Sequence, residues 1–165
     1  MTAVFPRAHL IILVSLYTTL AGNAAAPADR LLDAIALVES RGRHEAIGRL
    51  GERGAWQMTR GAWDETTQQL RRLHLRTHPF RFAHDPNVSR LYASKRLDYL
   101  RYILRAALGR EATPAEYYAA WNVGLTGFKH RGYRVDACPK TTRRTARNVA
   151  NLVGPDRPQE LPHHD

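Results

Sequence analysis

The chain holds a single cysteine, Cys138, among its 165 residues. No intramolecular disulfide can form, and neither a thiolate metal cluster nor a Cys-X-X-Cys redox pair can be built. Cys138 stands beside Pro139 in a loop-like stretch without a clear base, and it reads as a free thiol rather than a nucleophile. Acidic residues are scarce as well. There are 15 Asp and Glu against 25 Lys and Arg, giving a formal charge of +10 and a pI of about 10.5. That balance favours polyanionic partners (nucleic acid, anionic lipid or an acidic cell wall) without choosing among them. No nucleic-acid-binding motif is present, so no specific nucleic acid is expected. There is no internal repeat, no long low-complexity tract, and no strand–helix alternation of the kind a parallel sheet needs. No uncharged apolar run reaches the roughly 20 residues of a comfortable transmembrane helix.

What is present begins with a leader. Arg7 supplies a short positive region, Leu10 to Leu20 an apolar run without charge, and Ala21-Gly-Asn-Ala-Ala-Ala26 small residues suited to cleavage. This is the layout of a secretory signal peptide, residues 1–26, with cleavage expected near Ala25 or Ala26. An uncleaved anchor is the other reading. Either way the rest of the chain is expected outside the cytoplasm, secreted or periplasmic, with no membrane span left after cleavage. Residues 27–153 are read as one domain, expected to act as a monomer. Residues 154–165, with Pro155, Pro158, Pro162 and the pair His163-His164, are read as an unpacked tail.

The domain reads as mainly α. Leu31, Leu32, Ile35, Ala36 and Val38 have helical spacing and predict a helix from Ala28 to Ser40. Residues 43–56 are Gly-rich and predict a loop or a small β-hairpin. Thr59 caps a second helix expected over Arg60 to Leu73, and residues 74–87, with prolines at 79 and 86, read as irregular. Asp85-Pro86 opens a long helix to Leu108, closed by Gly109. Thr113-Pro114-Ala115-Glu116 combines a cap, a first-turn proline and a capping-box glutamate, predicting a helix to Asn122. A last helix is expected over Thr141 to Val153.

Glu39 falls on the wrong face of the first of these helices. Ile35 is four residues before it and Leu32 seven, so the carboxylate continues an apolar stripe. Lost hydration raises a carboxyl pKa, and the negative helix C-terminus pushes the same way. A carboxylic acid that stays protonated near neutral pH is what protonation of a glycosidic oxygen requires. The alternative is a fraying end, with Glu39 turned to solvent or paired with Arg41 or Arg43.

The surrounding residues bear on that choice. Glu39-Ser40 is followed by Gly54-Ala55-Trp56-Gln57-Met58 and then by Ala120-Trp121-Asn122-Val123-Gly124. In order and spacing these segments resemble the soluble lytic transglycosylase (SLT domain) and goose-type lysozyme superfamily. Asp85-Pro86-Asn87-Val88 and the helix carrying Leu97 and Leu100 resemble the stretch between its last two motifs, and Thr145 to Val153 its closing helix. The resemblance covers roughly residues 29–153 and implies a lysozyme-like helical fold. It also implies roles: Glu39 as the catalytic acid and then base, with Ser40, Gln57, Met58, Trp121 and Asn122 on the glycan. Three departures stand out. Trp121 replaces a usual tyrosine, so any role for that hydroxyl is expected to be lost. Met58 follows Gln57 rather than preceding it. Ala146 and Arg147 stand where many members carry a tyrosine.

The function this implies is a lyase of the cell wall. It would cleave the MurNAc-GlcNAc β-1,4 bond of peptidoglycan glycan strands with one glutamate, leaving 1,6-anhydromuramyl ends. Ordinary glycosidases need two carboxylates. Here the sugar's own 6-hydroxyl replaces a second protein group by proximity. Glu52 is the candidate second carboxylate; if it holds a water near Glu39, the protein is a lysozyme-type hydrolase instead. A non-catalytic basic protein that binds glycan or nucleic acid is the remaining alternative. No cofactor and no metal are expected: His74 and His78 are four apart, but no carboxylate joins them. Arg71, Arg72, Arg76 and Arg81 form a basic run that could rim the cleft and attract stem-peptide carboxylates, or could be a solvated face.

Overall fold

The computed structural model describes residues 27–154. The leader assigned to residues 1–26 and the tail beyond Gly154 lie outside the described residues. Six α-helices run in order: α1 (Pro27–Ser40), α2 (Arg60–Arg72), α3 (Pro86–Leu108), α4 (Pro114–Val123), α5 (Leu125–His130) and α6 (Lys140–Val153). Two 3-10 turns, Phe80–His84 and Val135–Ala137, sit between them. The fold is mainly α, as the hydrophobic spacing predicts.

The helix starts follow from their caps. Thr59 Oγ1 accepts from Ala62 N at 3.1 Å and opens α2. Asp85 Oδ1 accepts from Asn87 N and Val88 N at 3.0 and 2.9 Å, with Pro86 in the first turn of α3. Thr113 and Glu116 form a complete capping box on α4, and Arg110 grips Glu116 with two further bonds of 2.7 and 2.9 Å. Gly109 closes α3 in the left-handed conformation. Short α5 follows Gly124 directly; six residues are too few to show a period, which is why spacing does not reveal it.

Helix α4 is the centre of the domain. Tyr117, Tyr118, Ala119, Ala120 and Trp121 are all buried, so it has no solvent face along this run. It packs against α6, α5 and α3, and α6 in turn packs against α1. On the other side α2 lies along α3, where Trp63 stacks on Tyr92 with ring centroids 3.7 Å apart. Both aromatic heads are also tied to the 74–87 segment. Trp63 Nε1 donates to His78 O at 2.9 Å, and Tyr92 Oη accepts from His78 N at 2.8 Å and donates to His78 O at 3.0 Å. That segment, read as irregular from its prolines, is therefore pinned and contains the first 3-10 turn.

The Gly-rich stretch after α1 is a loop. Two isolated antiparallel bridges, Ile47 to Arg53 and Arg53 to Met58, fold it back on itself, and no strand forms among the described residues. The hairpin alternative is thus not realised: positive φ at Gly51, Gly54 and Gln57 interrupts the extended backbone a ladder needs. Gly54 cannot be replaced cheaply. Its φ is +76°, and a Cβ there would collide with the carbonyl oxygen of Ala83 in the 3-10 turn. No helix among the described residues is long and apolar enough to cross a membrane.

Candidate active site

Glu39 sits in the last turn of α1 at the wall of a cleft of about 480 Å³. Glu52, Gln57, Met58, Arg96, Trp121 and Asn122 line the same cleft. Burial lifts the Glu39 carboxyl above its ordinary value of 4.5. A hydrogen bond from Tyr118 partly offsets this, and the negative charge of Glu52 adds to it. The fraying-end alternative is not what forms. Arg43 Nε donates to Ser40 O at 3.0 Å, and Glu39 makes no ion pair among the described residues.

The partner of Glu39 comes from α4. Tyr118 Oη donates to Glu39 Oε1 at 2.9 Å. The Tyr118 hydroxyl is itself pushed well above its ordinary 10.0, by burial first and then by the adjacent Glu39 charge, so it stays a donor. Asn122, one turn on, points Nδ2 at Tyr118 Oη at 3.4 Å and accepts at Oδ1 from Thr142 Oγ1 at 2.7 Å. A chain of polar contacts thus runs from α1 through α4 to α6. The phenol at Glu39 therefore comes from Tyr118, three residues before Trp121 on the same helix. Tyr118 is four residues before Asn122, a spacing that puts both on one helix face; that was its signal in the sequence.

The loop brings the remaining candidates into place in different ways. Gln57 has φ +44° and donates from Nε2 to Gly54 O at 2.9 Å and Ala46 O at 3.3 Å, which holds it against the cleft. Glu52 accepts from Leu50 N at 3.0 Å. Gly48 lies under both: a Cβ there would sit 2.6 Å from Gln57 Oε1 and would collide with the Glu52 carboxylate. Met58 is buried in the cleft wall, and Trp121 offers only 8% of its surface. Ser40 is turned away from the cleft. It is buried, and its Oγ donates to Ala55 O at 2.8 Å, so it locks the loop onto α1. Trp56 does the same through Nε1 to Leu32 O at 2.9 Å.

Arg96 went unnoticed in the sequence. It lies on the buried stripe of α3 with Ala93, Leu97 and Leu100, as Glu39 lies on that of α1. Its side chain is 8% exposed, and Nη1 donates to Glu65 at 3.0 Å. Its guanidinium is 5.9 Å from the Trp121 ring. Neither Arg96 nor Arg49, which also lines the cleft, figures among the charges acting on Glu39. Cys138 is buried, with Sγ 3.6 Å from Arg134 O, and burial raises its thiol pKa, as suits an inert side chain. Among the described residues no group of three or more His, Cys, Asp and Glu is placed to hold a metal ion.

Chemically, the arrangement is a carboxyl that can give a proton and take one back. Desolvation favours its neutral form, the Tyr118 hydrogen bond favours its charged form, and it faces the cleft. No model of a known protein family matches the chain, and no curated protein matches it either.

Proposed function

We propose that the protein is a secreted peptidoglycan lytic transglycosylase of lysozyme-like fold. The observation that carries this is the Glu39 carboxyl, raised in pKa by burial, facing the cleft and bonded by Tyr118. Glu39 gives its proton to the oxygen of the MurNAc-GlcNAc bond as that bond breaks. The same carboxylate then takes the proton of the muramyl 6-hydroxyl, whose oxygen attacks the anomeric carbon. One C–O bond is lost and one gained, no water is consumed, and a 1,6-anhydromuramyl end results. Tyr118 stabilises the carboxylate between the two transfers. Gln57, Trp121 and Asn122, which line the same cleft, hold the sugars in this reading.

One observation favours a second reading. Glu52 lines the same cleft, and its charge acts on Glu39. A water held by Glu52 would turn the chemistry to hydrolysis and leave reducing ends. Digestion of purified peptidoglycan by the protein and by Glu39→Gln, followed by mass analysis, decides. Anhydro ends made only by the unsubstituted protein support the transglycosylase. Reducing ends, heavier by one water, support the hydrolase. Equal activity in both proteins removes Glu39 from the mechanism.

A further inference from the structure

A second cavity, of about 510 Å³, opens on the other side of α2. Thr59 and Ala62 face the Glu39 cleft; Arg60, Trp63 and Asp64 line the second cavity. Its lining is dominated by arginines beside aromatic rings. Arg53, Arg60, Arg71 and Arg81 converge on it from the loop, from α2 and from the 3-10 turn, around the ring of Phe80. Arg53 and Arg60 lie 4.9 and 5.9 Å from the centre of that ring, and Arg81 lies 5.2 Å from the neighbouring Phe82. One carboxylate answers them: Asp64, paired with Arg60 at 2.8 Å. Arg53, Arg71 and Arg81 have no ion pair among the described residues. The backbone beneath is rigid, because His78 is held by Trp63 and by both bonds of Tyr92.

We infer that this groove binds the carboxylates of a peptidoglycan stem peptide whose glycan lies in the Glu39 cleft. Planar guanidinium forks match carboxylates in bidentate geometry, and stacking on aromatic rings orients the forks in advance. The aromatic floor suits the apolar parts of a peptide. The location chooses the occupant. A helix is about 10–12 Å across, and an extended peptide of four residues reaches about 14 Å. A stem attached to a sugar in the first cavity is thus long enough to reach across the width of α2 toward the second. The inference rests on the function proposed above for its choice of peptide.

Titration with a soluble stem tetrapeptide bearing free carboxylates tests it, with nuclear magnetic resonance of the Trp63 indole and the His78 and Phe80 amides as readout. The expected result is saturable shifts at these three sites. Arg71→Gln/Arg81→Gln, two exposed positions, should weaken binding by about tenfold or more, as loss of charge-assisted bonds does. Arg143→Gln/Arg147→Gln removes the same charge from the exposed face of α6 and should leave the affinity within about twofold. Equal loss in both variants would reduce the effect to diffuse charge and overturn the inference. So would the absence of shifts, or displacement of the peptide by inorganic phosphate or a short single-stranded DNA at lower concentration than the peptide itself. No step of this titration uses Glu39. A protein that binds the peptide and leaves glycan uncut refutes the catalytic reading alone; one that cuts glycan and ignores the peptide refutes the groove alone.

Discussion

The cavities on the two sides of α2 are nearly equal in size and opposite in electrical design. In one, burial raises the pKa of the Glu39 carboxyl, and the phenol of Tyr118 donates to it. In the other, guanidinium groups that cannot lose their charge crowd around an aromatic ring with one carboxylate for company. The first spends desolvation to make a group reactive. The second keeps its charges hydrated and oriented, a design for holding a partner rather than changing it.

The sharpest way to break the contrast is Glu39→Gln. Loss of the proton donor should lower turnover of peptidoglycan by ~10²–10⁴, the usual span of general acid–base catalysis. The variant should keep its fold. Because the folded carboxyl has a raised pKa, the native state holds its proton longer than the unfolded chain does. Stability therefore falls as pH climbs from about the ordinary value of 4.5 through the raised one. Glutamine removes that loss, so unfolding measured at neutral pH should show the variant unchanged or firmer.

Gly54→Ala should come next. The added methyl meets the Ala83 carbonyl at a backbone angle that disfavours a side chain, and the cost should be about 2–3 kcal/mol in denaturant unfolding. Gly54 joins the loop of the first cavity to the turn of the second, so both should lose their shape together. Tyr118→Phe is smaller and more selective. It removes a hydrogen bond that lowers the Glu39 pKa, so the alkaline limb of the activity profile should move to higher pH. Maximal rate should fall about tenfold, as expected for a bond to a charged group. Thr142→Val takes one bond from Asn122 and should cost about 1 kcal/mol of stability by thermal unfolding, with cleavage chemistry unchanged. Glu52→Gln is expected to be mildest. Removing its charge lets Glu39 ionise sooner, so the same limb should shift to lower pH. If anhydro products persist in this variant, the one-carboxylate mechanism holds; if reducing ends disappear with Glu52, hydrolysis was the reaction.

Three of the six helix starts were legible because caps are local: Thr59, Asp85 and Thr113 announce their helices within three residues. The buried face of α1, and with it the odd position of Glu39, was legible for the same reason. What local pattern cannot show is convergence. The basic run Arg71, Arg72, Arg76 and Arg81 is one feature in sequence, but the structure divides it. Arg71 and Arg81 enter the groove, while Arg72 lies across α2 beside Leu73 and Tyr102. Their real companions, Arg53 and Arg60, come from elsewhere. Tyr118 was hidden differently. It lies within a run of five buried residues on α4, and only the meeting of α4 with α1 turns its hydroxyl into a partner for Glu39.

The contact from Glu39 through Tyr118 and Asn122 to Thr142 spans more than a hundred positions of sequence. Its first member emerges early in synthesis and its last among the final helical turns. A ribosome delivering the chain in order releases Glu39 long before the helix that secures its partner. Until α6 docks, Asn122 lacks Thr142 and α4 lacks its largest neighbour, so the acid waits without its settled surroundings. The surroundings of the Glu39 carboxyl are thus complete only when α6 has docked, so the order of docking, and not the order of the sequence, sets the environment of this group.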